Sequence, residues 1–289
     1  MPHQKPKPRL TRRGFLSTLL RATVAGAALS LGGAGYAARI EPRWIRVERR
    51  GLRLPRLPRA FDGFTLAQIS DLHFGRAVDP AYLLAACERT TALRPDAIAV
   101  TGDFVSRLDN GEAQRVQEAV GRLRAPYGVY AVLGNHDWWT SPAIVSQAVE
   151  AGGATLLTNT SVALSRGADQ LHLAGVDDIW EGQHDLSAAL ASIPAQAGVV
   201  LLAHEPDYAD TVAADGRVDL MLSGHSHGGQ VRMPFRGAPI LPQWGRKYPA
   251  GWYAIQGLQL YTNRGLGTSE IAVRFNCPPE ITLLTLQAG

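Results

Sequence analysis

The sequence predicts an α/β (α+β) protein, a four-layer αββα sandwich in which two mixed sheets pack together and helices cover their outer sides. From residue 64 onward, short apolar runs typical of buried strands alternate with helical patterns. The stretch 251–286 has short strands and Gly-rich turns instead of helices. A chain of 289 residues is long enough to bury one large core.

The apolar periodicity predicts where the individual elements lie. The predicted strands are 65–69, 97–101, 128–133, 155–159, 170–174, 199–203 and 220–223. The predicted helices are 81–93, 111–124, 141–152, 186–193 and 207–214. The stretch 251–286 predicts that the second sheet is the more antiparallel one and forms late in the chain.

The excess positive charge of the chain comes mainly from its amino terminus. The whole chain has 29 Lys and Arg against 25 Asp and Glu, a formal net charge of +4. Residues 1–38 contain six of these basic residues and no acidic one, so 23 basic residues face 25 acidic ones in the remainder. This balance argues against a general nucleic-acid-binding surface, and no nucleic-acid partner is expected.

The first residues resemble a twin-arginine export signal, because Arg12 and Arg13 precede a weakly apolar, Gly/Ala-rich stretch. Residues 1–38 are therefore predicted to be such a signal or a membrane anchor. The expected location is the periplasm or cell envelope, with the export machinery as a partner. Residues 39–60, rich in Arg and Pro, predict a linker with an edge strand at 45–47, outside the core. Residues 61–289 are predicted to form one domain, and the protein is expected to be a monomer.

Five short motifs, each directly after an apolar strand, together offer ligands for two metal ions. They are Asp71-Leu72-His73, Gly102-Asp103, Gly134-Asn135-His136-Asp137, His204 and Gly224-His225-Ser226-His227. Strand ends that meet at one edge of a sheet would bring these side chains together. At a strand end, residues two apart share a face, which would aim Asp71 and His73 at one ion. Carboxylate, imidazole and amide ligands suit Mn, Fe or Zn without selecting among them.

Two residues of the third motif are predicted to serve the reaction without binding metal. The ring of His136 would point away from the neighbouring Asn135 and toward the substrate, where it could donate a proton to the leaving oxygen. Asp137 is predicted to hold the His136 ring and keep it protonated.

The order D-x-H, G-D, G-N-H-D, a single His and G-H-x-H resembles the calcineurin-like metallophosphoesterase superfamily. The tail 264–281 is similar to that of its YkuE/YaeI-type bacterial members. The resemblance implies the metallophosphoesterase fold and hydrolysis of a P–O ester by a hydroxide shared between two metal ions. It also implies two ligand sets that share Asp103. These sets are Asp71, His73, Asp103 and His227 for one ion, and Asp103, Asn135, His204 and His225 for the other.

The substrate side of the site is predicted from cations and aromatic residues near the motifs. Residues predicted to contact substrate are Trp138, Arg232, Trp244 and Arg264. Arg232 and Trp244 lie in the long connection 228–252, whose cations and aromatics would suit a phosphate attached to an apolar or sugar group. A solvated loop whose aromatics pack on the core would have the same composition.

Three functions are compatible with these motifs. The first is hydrolysis of a phosphodiester or monoester of a small molecule or a lipid-linked substrate. The second is cleavage of a nucleotide-lipid pyrophosphate such as UDP-2,3-diacylglucosamine, in lipid A biosynthesis, which predicts an apolar groove near Trp138 and Trp244. The third is a catalytically silent scaffold on the same fold, which the complete ligand set argues against.

Overall fold

A computed structural model describes residues 32–75 and 77–289. The predicted export signal therefore lies almost entirely outside the described residues, apart from a helical segment at 32–39. Among the described residues, no helix combines the length and the apolar character that crossing a membrane requires.

The described residues form strands and helices in the following order. The strands are β1 (Arg46–Leu54), β2 (Thr65–Ile69), β3 (Ala97–Thr101), β4 (Val129–Val132), β5 (Thr155–Leu156), β6 (Thr160–Arg166), β7 (Asp169–Gly175), β8 (Gly198–Leu202), β9 (Leu220–Ser223), β10 (Gly251–Ile255), β11 (Leu258–Thr262) and β12 (Glu280–Ala288). The helices after residue 79 are α1 (Pro80–Ala92), α2 (Glu112–Val120), α3 (Asn135–Thr140), α4 (Pro142–Ala151), α5 (Leu186–Leu190) and α6 (Ala209–Asp215).

The strands form two six-stranded mixed sheets. The order of the first sheet is β1-β12-β2-β3-β4-β5, in which only β12 and β2 pair antiparallel. The order of the second is β10-β11-β9-β8-β7-β6, with antiparallel pairs at its two ends. The parallel strands β2–β4 and β7–β9 therefore present their carboxyl ends at one edge of each sheet.

Alternating side chains divide the core into layers, as the strand geometry requires. Leu66 of β2 packs between the sheets with Leu202 and Leu222 of the second sheet. Its neighbour Ala67 faces the other way, into a cluster that the helices α1, α2 and α4 complete. The outer side of the second sheet packs on α5 and α6. The predicted sandwich of two mixed sheets flanked by helices is confirmed.

The prediction that 251–286 builds a sheet of its own is wrong, although the second sheet does contain more antiparallel pairs than the first, two against one. β10 and β11 extend the second sheet, whereas β12 lies inside the first sheet between β1 and β2. The sequence of β12 is apolar on both faces, with Ile281 turned toward the helices and Leu284 toward the other sheet. A strand with two apolar faces is typical of the middle of a sheet. The sequence pattern does not identify which of the two sheets contains it, because that depends on tertiary contacts.

The prediction that residues 39–60 lie outside the core is also wrong. β1 runs for nine residues along β12 at the edge of the first sheet. Its Leu52 and Leu54 are buried between the sheets, together with the following Leu57. Only the end of β1 alternates, with Leu52 and Leu54 buried on either side of exposed Arg53, and the Arg-rich part before it conceals the strand. β6 was missed for a similar reason, since most of its residues are exposed or half-buried.

Candidate metal centre and active site

The predicted ligands all lie just beyond the carboxyl ends of five parallel strands. The first sheet supplies Asp71 and His73 after β2, Asp103 after β3 and Asn135 after β4. The second supplies the remaining ligands, which are His204 after β8 and His225 and His227 after β9. All seven side chains are at least 95% buried. The structure therefore brings the complete predicted ligand set to one place between the two sheets.

One group of ligands joins Asp71 and His73 with His227. The Nε2 atoms of His73 and His227 face each other at 2.9 Å. Asp71 Oδ1 lies 3.3 Å from His227 Nε2 and 4.0 Å from His73 Nε2. Asp103 borders the same group, because its Oδ2 lies 3.4 Å from His73 Nε2.

A second group joins Asp103 with His204 and His225, whose ligand atoms lie within 4.8 Å of one another. The same Oδ2 of Asp103 lies 3.2 Å from His204 Nε2. His225 Nδ1 is 2.9 Å from Asn135 Oδ1, which adds the amide oxygen to this group. One carboxylate oxygen of Asp103 thus borders both groups.

Hydrogen bonds behind the imidazoles determine which ring nitrogens are available. His204 donates from Nδ1 to the carbonyl oxygen of Thr101 at 2.6 Å. His225 donates from Nε2 to the carbonyl oxygen of Gln243 at 2.7 Å. In each ring the other nitrogen then carries the lone pair, and it faces the ligand group. This is the usual arrangement of metal-binding histidines.

The chemistry of the site fits two bound cations. His204 Nε2 is buried and has no hydrogen-bond partner among the described residues, although polar atoms of this kind are nearly always satisfied. Burial lowers the pKa of His73 and of His225 to about 3, so both rings offer neutral nitrogen. Burial also raises the pKa of Asp71, because its charge lacks solvation. Cations would stabilise the carboxylates and take up the unpaired nitrogen.

Five of the ligands have left-handed backbone conformations. The φ angle is 52° at Asp71 and His73, 55° at Asp103, 68° at His225 and 51° at His227. Asp and His tolerate this region better than most residues, but each such conformation costs about 1–3 kcal/mol. The expected strand-like alternation of Asp71 and His73 is therefore wrong. Both follow the end of β2 and converge because the backbone turns. The left-handed conformations at His225 and His227 likewise direct these two side chains to different ligand groups.

Gly224 lies where the backbone after β9 passes directly behind the ligands. A Cβ atom at this position would lie 1.9 Å from Ser70 Oγ and 2.4 Å from Asp71 Oδ2. Only glycine, which has no Cβ, allows this approach. The backbone amide of the next residue, His225, donates to Asp71 Oδ1 at 3.1 Å.

We expect Gly224→Ala to displace the Asp71 carboxylate and to weaken metal binding by roughly 10–100-fold, the cost typical of disturbing a ligand's support. Titration of phosphoesterase activity against Mn²⁺ measures the change, and high metal should restore most of the activity. Gly51→Ala on β1 is the control, because its added Cβ would meet only the flexible end of the exposed Gln287 side chain, at 3.2 Å. Equal metal dependence of the two variants would contradict this account.

His136 lies at the opening of the ligand cluster. Its backbone N–H donates to Asp103 Oδ1 at 2.9 Å, and a ring nitrogen lies within 4.8 Å of ligand atoms of His73 and Asp103. Its ring contacts Trp139, with centroids 4.7 Å apart, and Nε2 lies 3.5 Å from Ser269 Oγ. His136 is only partly buried, so it can reach a bound substrate.

The predicted role of Asp137 as the holder of the His136 ring is wrong. Its carboxylate accepts hydrogen bonds from the backbone amides of Gly134 at 3.0 Å, Phe104 at 2.9 Å and Val105 at 3.1 Å. Asp137 therefore ties the start of α3 to the segment that carries Asp103. The side chain points back into its own helix start, a common capping geometry, and away from the neighbouring ring.

An apolar cleft of about 440 Å³ opens from the ligand cluster. Its polar floor includes Asp103, Asn135, His136, His225 and His227, and its walls include Trp139, Trp180, Val231, Ile240, Leu241 and Ile271. Trp139 and Trp180 meet edge to face, with ring centroids 5.3 Å apart. The cleft can therefore hold an apolar group beside the metal ligands.

Trp180 is a cleft residue that the sequence analysis missed. It follows β7, another parallel strand, just as the ligands follow their strands. The Asp178 carboxylate accepts hydrogen bonds from the backbone amides of Trp180 at 3.1 Å and Glu181 at 2.7 Å, which fixes this loop. Its position shortly after a buried parallel strand is the sequence feature that could have indicated a place at the site.

The four predicted substrate contacts do not line the cleft. Trp138 packs on the core and its indole N–H donates to Asp177 Oδ1 at 3.0 Å. Arg264 forms ion pairs with Glu48 and Glu280. Arg232 donates to the carbonyl oxygen of Gly228, and Trp244 lies outside the lining residues. An apolar groove is present in the predicted region, but Trp139 and Trp180 form its aromatic walls, and not Trp138 and Trp244.

Comparison with known proteins agrees with this geometry. Residues 64–229 match the family model described as calcineurin-like phosphoesterase. The chain belongs to this family. It is 35% identical over 283 residues to the uncharacterized metallophosphoesterase YkuE of Bacillus subtilis, covering 97% of this chain and 99% of that protein. It is 32% identical over 281 residues to the phosphodiesterase YaeI of Escherichia coli, covering 96% and 99%.

A further relative is the UDP-2,3-diacylglucosamine pyrophosphatase LpxG of Chlamydia trachomatis, 28% identical over 306 residues, covering 86% of this chain and 91% of that protein. Membership of the calcineurin-like phosphoesterase family confirms the predicted enzyme class, a metal-dependent phosphoric ester hydrolase. The clustered Asp and His side chains agree with the metal dependence of this family.

Proposed function

We propose that this calcineurin-like phosphoesterase hydrolyses a phosphodiester or monoester that carries an apolar group, and that it acts at the cell envelope. The observation that carries the proposal is the apolar cleft of about 440 Å³ that opens directly from the metal ligands. The envelope location rests on the Arg12-Arg13 pattern and the apolar stretch that follows it.

Different residues of the chain would have different roles in such a reaction. Two bound cations would supply positive charge for the phosphoryl oxygens and an activated water. His136, at the junction of ligands and cleft, would donate a proton from its ring to the departing oxygen. Trp139 and Trp180 would hold the apolar group of the ester and exclude water from that side.

The second candidate is a nucleotide-lipid pyrophosphate, which the apolar walls of the cleft also suit. LpxG, which is named as a UDP-2,3-diacylglucosamine pyrophosphatase, is a relative at 28% identity. Acyl chains would lie along Trp139, Ile240 and Leu241, with the pyrophosphate at the ligands. A silent scaffold is the least supported function, since all seven ligand side chains converge.

A substrate panel separates these functions. Full-length protein loaded with Mn²⁺, Fe²⁺ or Zn²⁺ is assayed with bis(p-nitrophenyl) phosphate, p-nitrophenyl phosphate, a long-chain alkyl p-nitrophenyl phosphodiester and UDP-2,3-diacylglucosamine. The proposal predicts the highest kcat/KM for the long-chain diester. A higher value for the nucleotide-lipid would favour the second candidate, and no turnover with any metal would favour the scaffold.

A further inference from the structure

A tight turn at residues 233–237, here called the 233–237 turn, connects two segments that line the cleft. Val231 lies before it, and Pro239 and Ile240 lie after it. The backbone amide of Met233 donates to the carbonyl oxygen of Gly237 at 2.8 Å, and the Gly237 amide donates back at 3.0 Å. The turn is therefore a closed hairpin that projects from the rim of the active-site cleft.

The tip of this hairpin exposes an aromatic side chain completely. Phe235 has a relative exposure of 109% and a left-handed φ of 64°, so the turn holds its ring away from the protein. Met233 is 49% exposed in the same turn. Ile240 and Ile271 on the cleft rim are 80% and 62% exposed. Exposed apolar groups collected around one feature usually mark a binding surface.

Positive charge accompanies these apolar groups. Residues 228–252 contain Arg232, Arg236, Arg246 and Lys247 and no Asp or Glu. The guanidinium groups of Arg236 and Arg246 form no ion pair with any described residue, whereas Lys247 pairs with Asp210. Apart from Asp103 on the floor, the described residues that line the cleft include one acidic residue, Glu270, which is next to Ile271 in the chain.

This combination fits a lipid surface better than a protein partner. The turn presents one fully exposed aromatic ring at its tip, whereas a protein interface needs a broader complementary patch. Aromatic and aliphatic side chains that enter the headgroup region, flanked by arginines, are typical of interfacial membrane contacts. Basic groups near an anionic surface add electrostatic attraction to the apolar contact.

We propose that the 233–237 turn inserts into the interfacial region of an anionic lipid bilayer, with Phe235 deepest and Arg236 at the headgroups. The mouth of the cleft then faces the membrane surface, and an amphiphilic molecule can enter the cleft without crossing bulk water. This inference rests on the turn and its charge, and it holds whichever phosphoester the site cleaves.

Fluorescent labelling of the tip tests the proposal in the full chain. Cys87 and Cys277 are both fully buried, so Phe235→Cys provides a single accessible thiol for an NBD label. We expect the NBD emission of this label to shift to shorter wavelength and to gain intensity when vesicles of phosphatidylcholine with phosphatidylglycerol are added. Pure phosphatidylcholine vesicles should produce a smaller change.

Ile144→Cys, on α4 and 47% exposed, carries the same label as the matched control and should show no shift. The basic amino terminus can also bind vesicles, and sedimentation of both labelled proteins would report that binding. Sedimentation without a shift at position 235 would overturn the proposal. A shift in buffer alone that grows with protein concentration would likewise overturn it and would assign the turn to contacts between copies.

Discussion

Asp103→Asn is expected to lower kcat/KM for bis(p-nitrophenyl) phosphate by more than about 10³-fold. Removing an outer partner of a metal ligand typically costs 10–100-fold, and Asp103 is itself a ligand candidate that borders both groups. Its Oδ2 lies 3.4 Å from His73 Nε2 and 3.2 Å from His204 Nε2. The amide of asparagine keeps the shape of the side chain but removes its charge, so neither group retains its shared anion.

Metal content distinguishes this cause from a general folding defect. Elemental analysis after dialysis should find fewer ions per chain in Asp103→Asn, while its circular dichroism spectrum stays that of the wild type. Glu150→Gln, an exposed carboxylate on α4, is the control and should retain both metal and activity. Wild-type metal content in Asp103→Asn would show that Asp103 is not a shared ligand.

His136→Ala is expected to lower kcat by about 10²–10⁴-fold for esters with poor leaving groups, the range typical of a lost general acid. The effect on p-nitrophenyl esters should be much smaller, because nitrophenolate departs without a proton. His136 lies beside the ligand groups but is not one of the seven predicted ligands. Metal content should therefore stay at the wild-type value.

The measurement compares kcat for phenyl and p-nitrophenyl phosphodiesters in the two proteins. His184→Ala is the matched control, since His184 is exposed and its ring contacts Tyr208. An equal loss on both esters would assign His136 to metal binding or site structure. An unchanged rate on the phenyl ester would remove it from the reaction.

The ligand set could be predicted from sequence because each ligand lies next to a buried strand and within a short motif. The carboxyl ends of parallel strands meet at an edge, so the topology brings distant motifs together. Backbone conformation could not be predicted in the same way. The left-handed turns at Asp71 and His73 replace the strand geometry that their spacing suggested.

The cleft was predicted less well because its walls come from loops that meet only after folding. Trp139 and Trp138 are adjacent in sequence, yet one lines the cleft and the other donates to Asp177 from the core side. Composition cannot distinguish such neighbours. Arg264 likewise carries a charge that suits a phosphate, but Glu48 and Glu280 neutralise it. The position of β12 in the first sheet also depends on tertiary contacts.

Each ligand group draws side chains from both sheets, and this has a consequence for assembly of the protein. His73 and His227 are 154 positions apart in the chain, and Asn135 and His225 are 90 apart. Neither half of the polypeptide holds a complete set, so tight metal capture has to wait until the halves have joined. An ion that binds both halves would stabilise the joined form, so metal binding is expected to lower the fraction of the protein that is open to proteases.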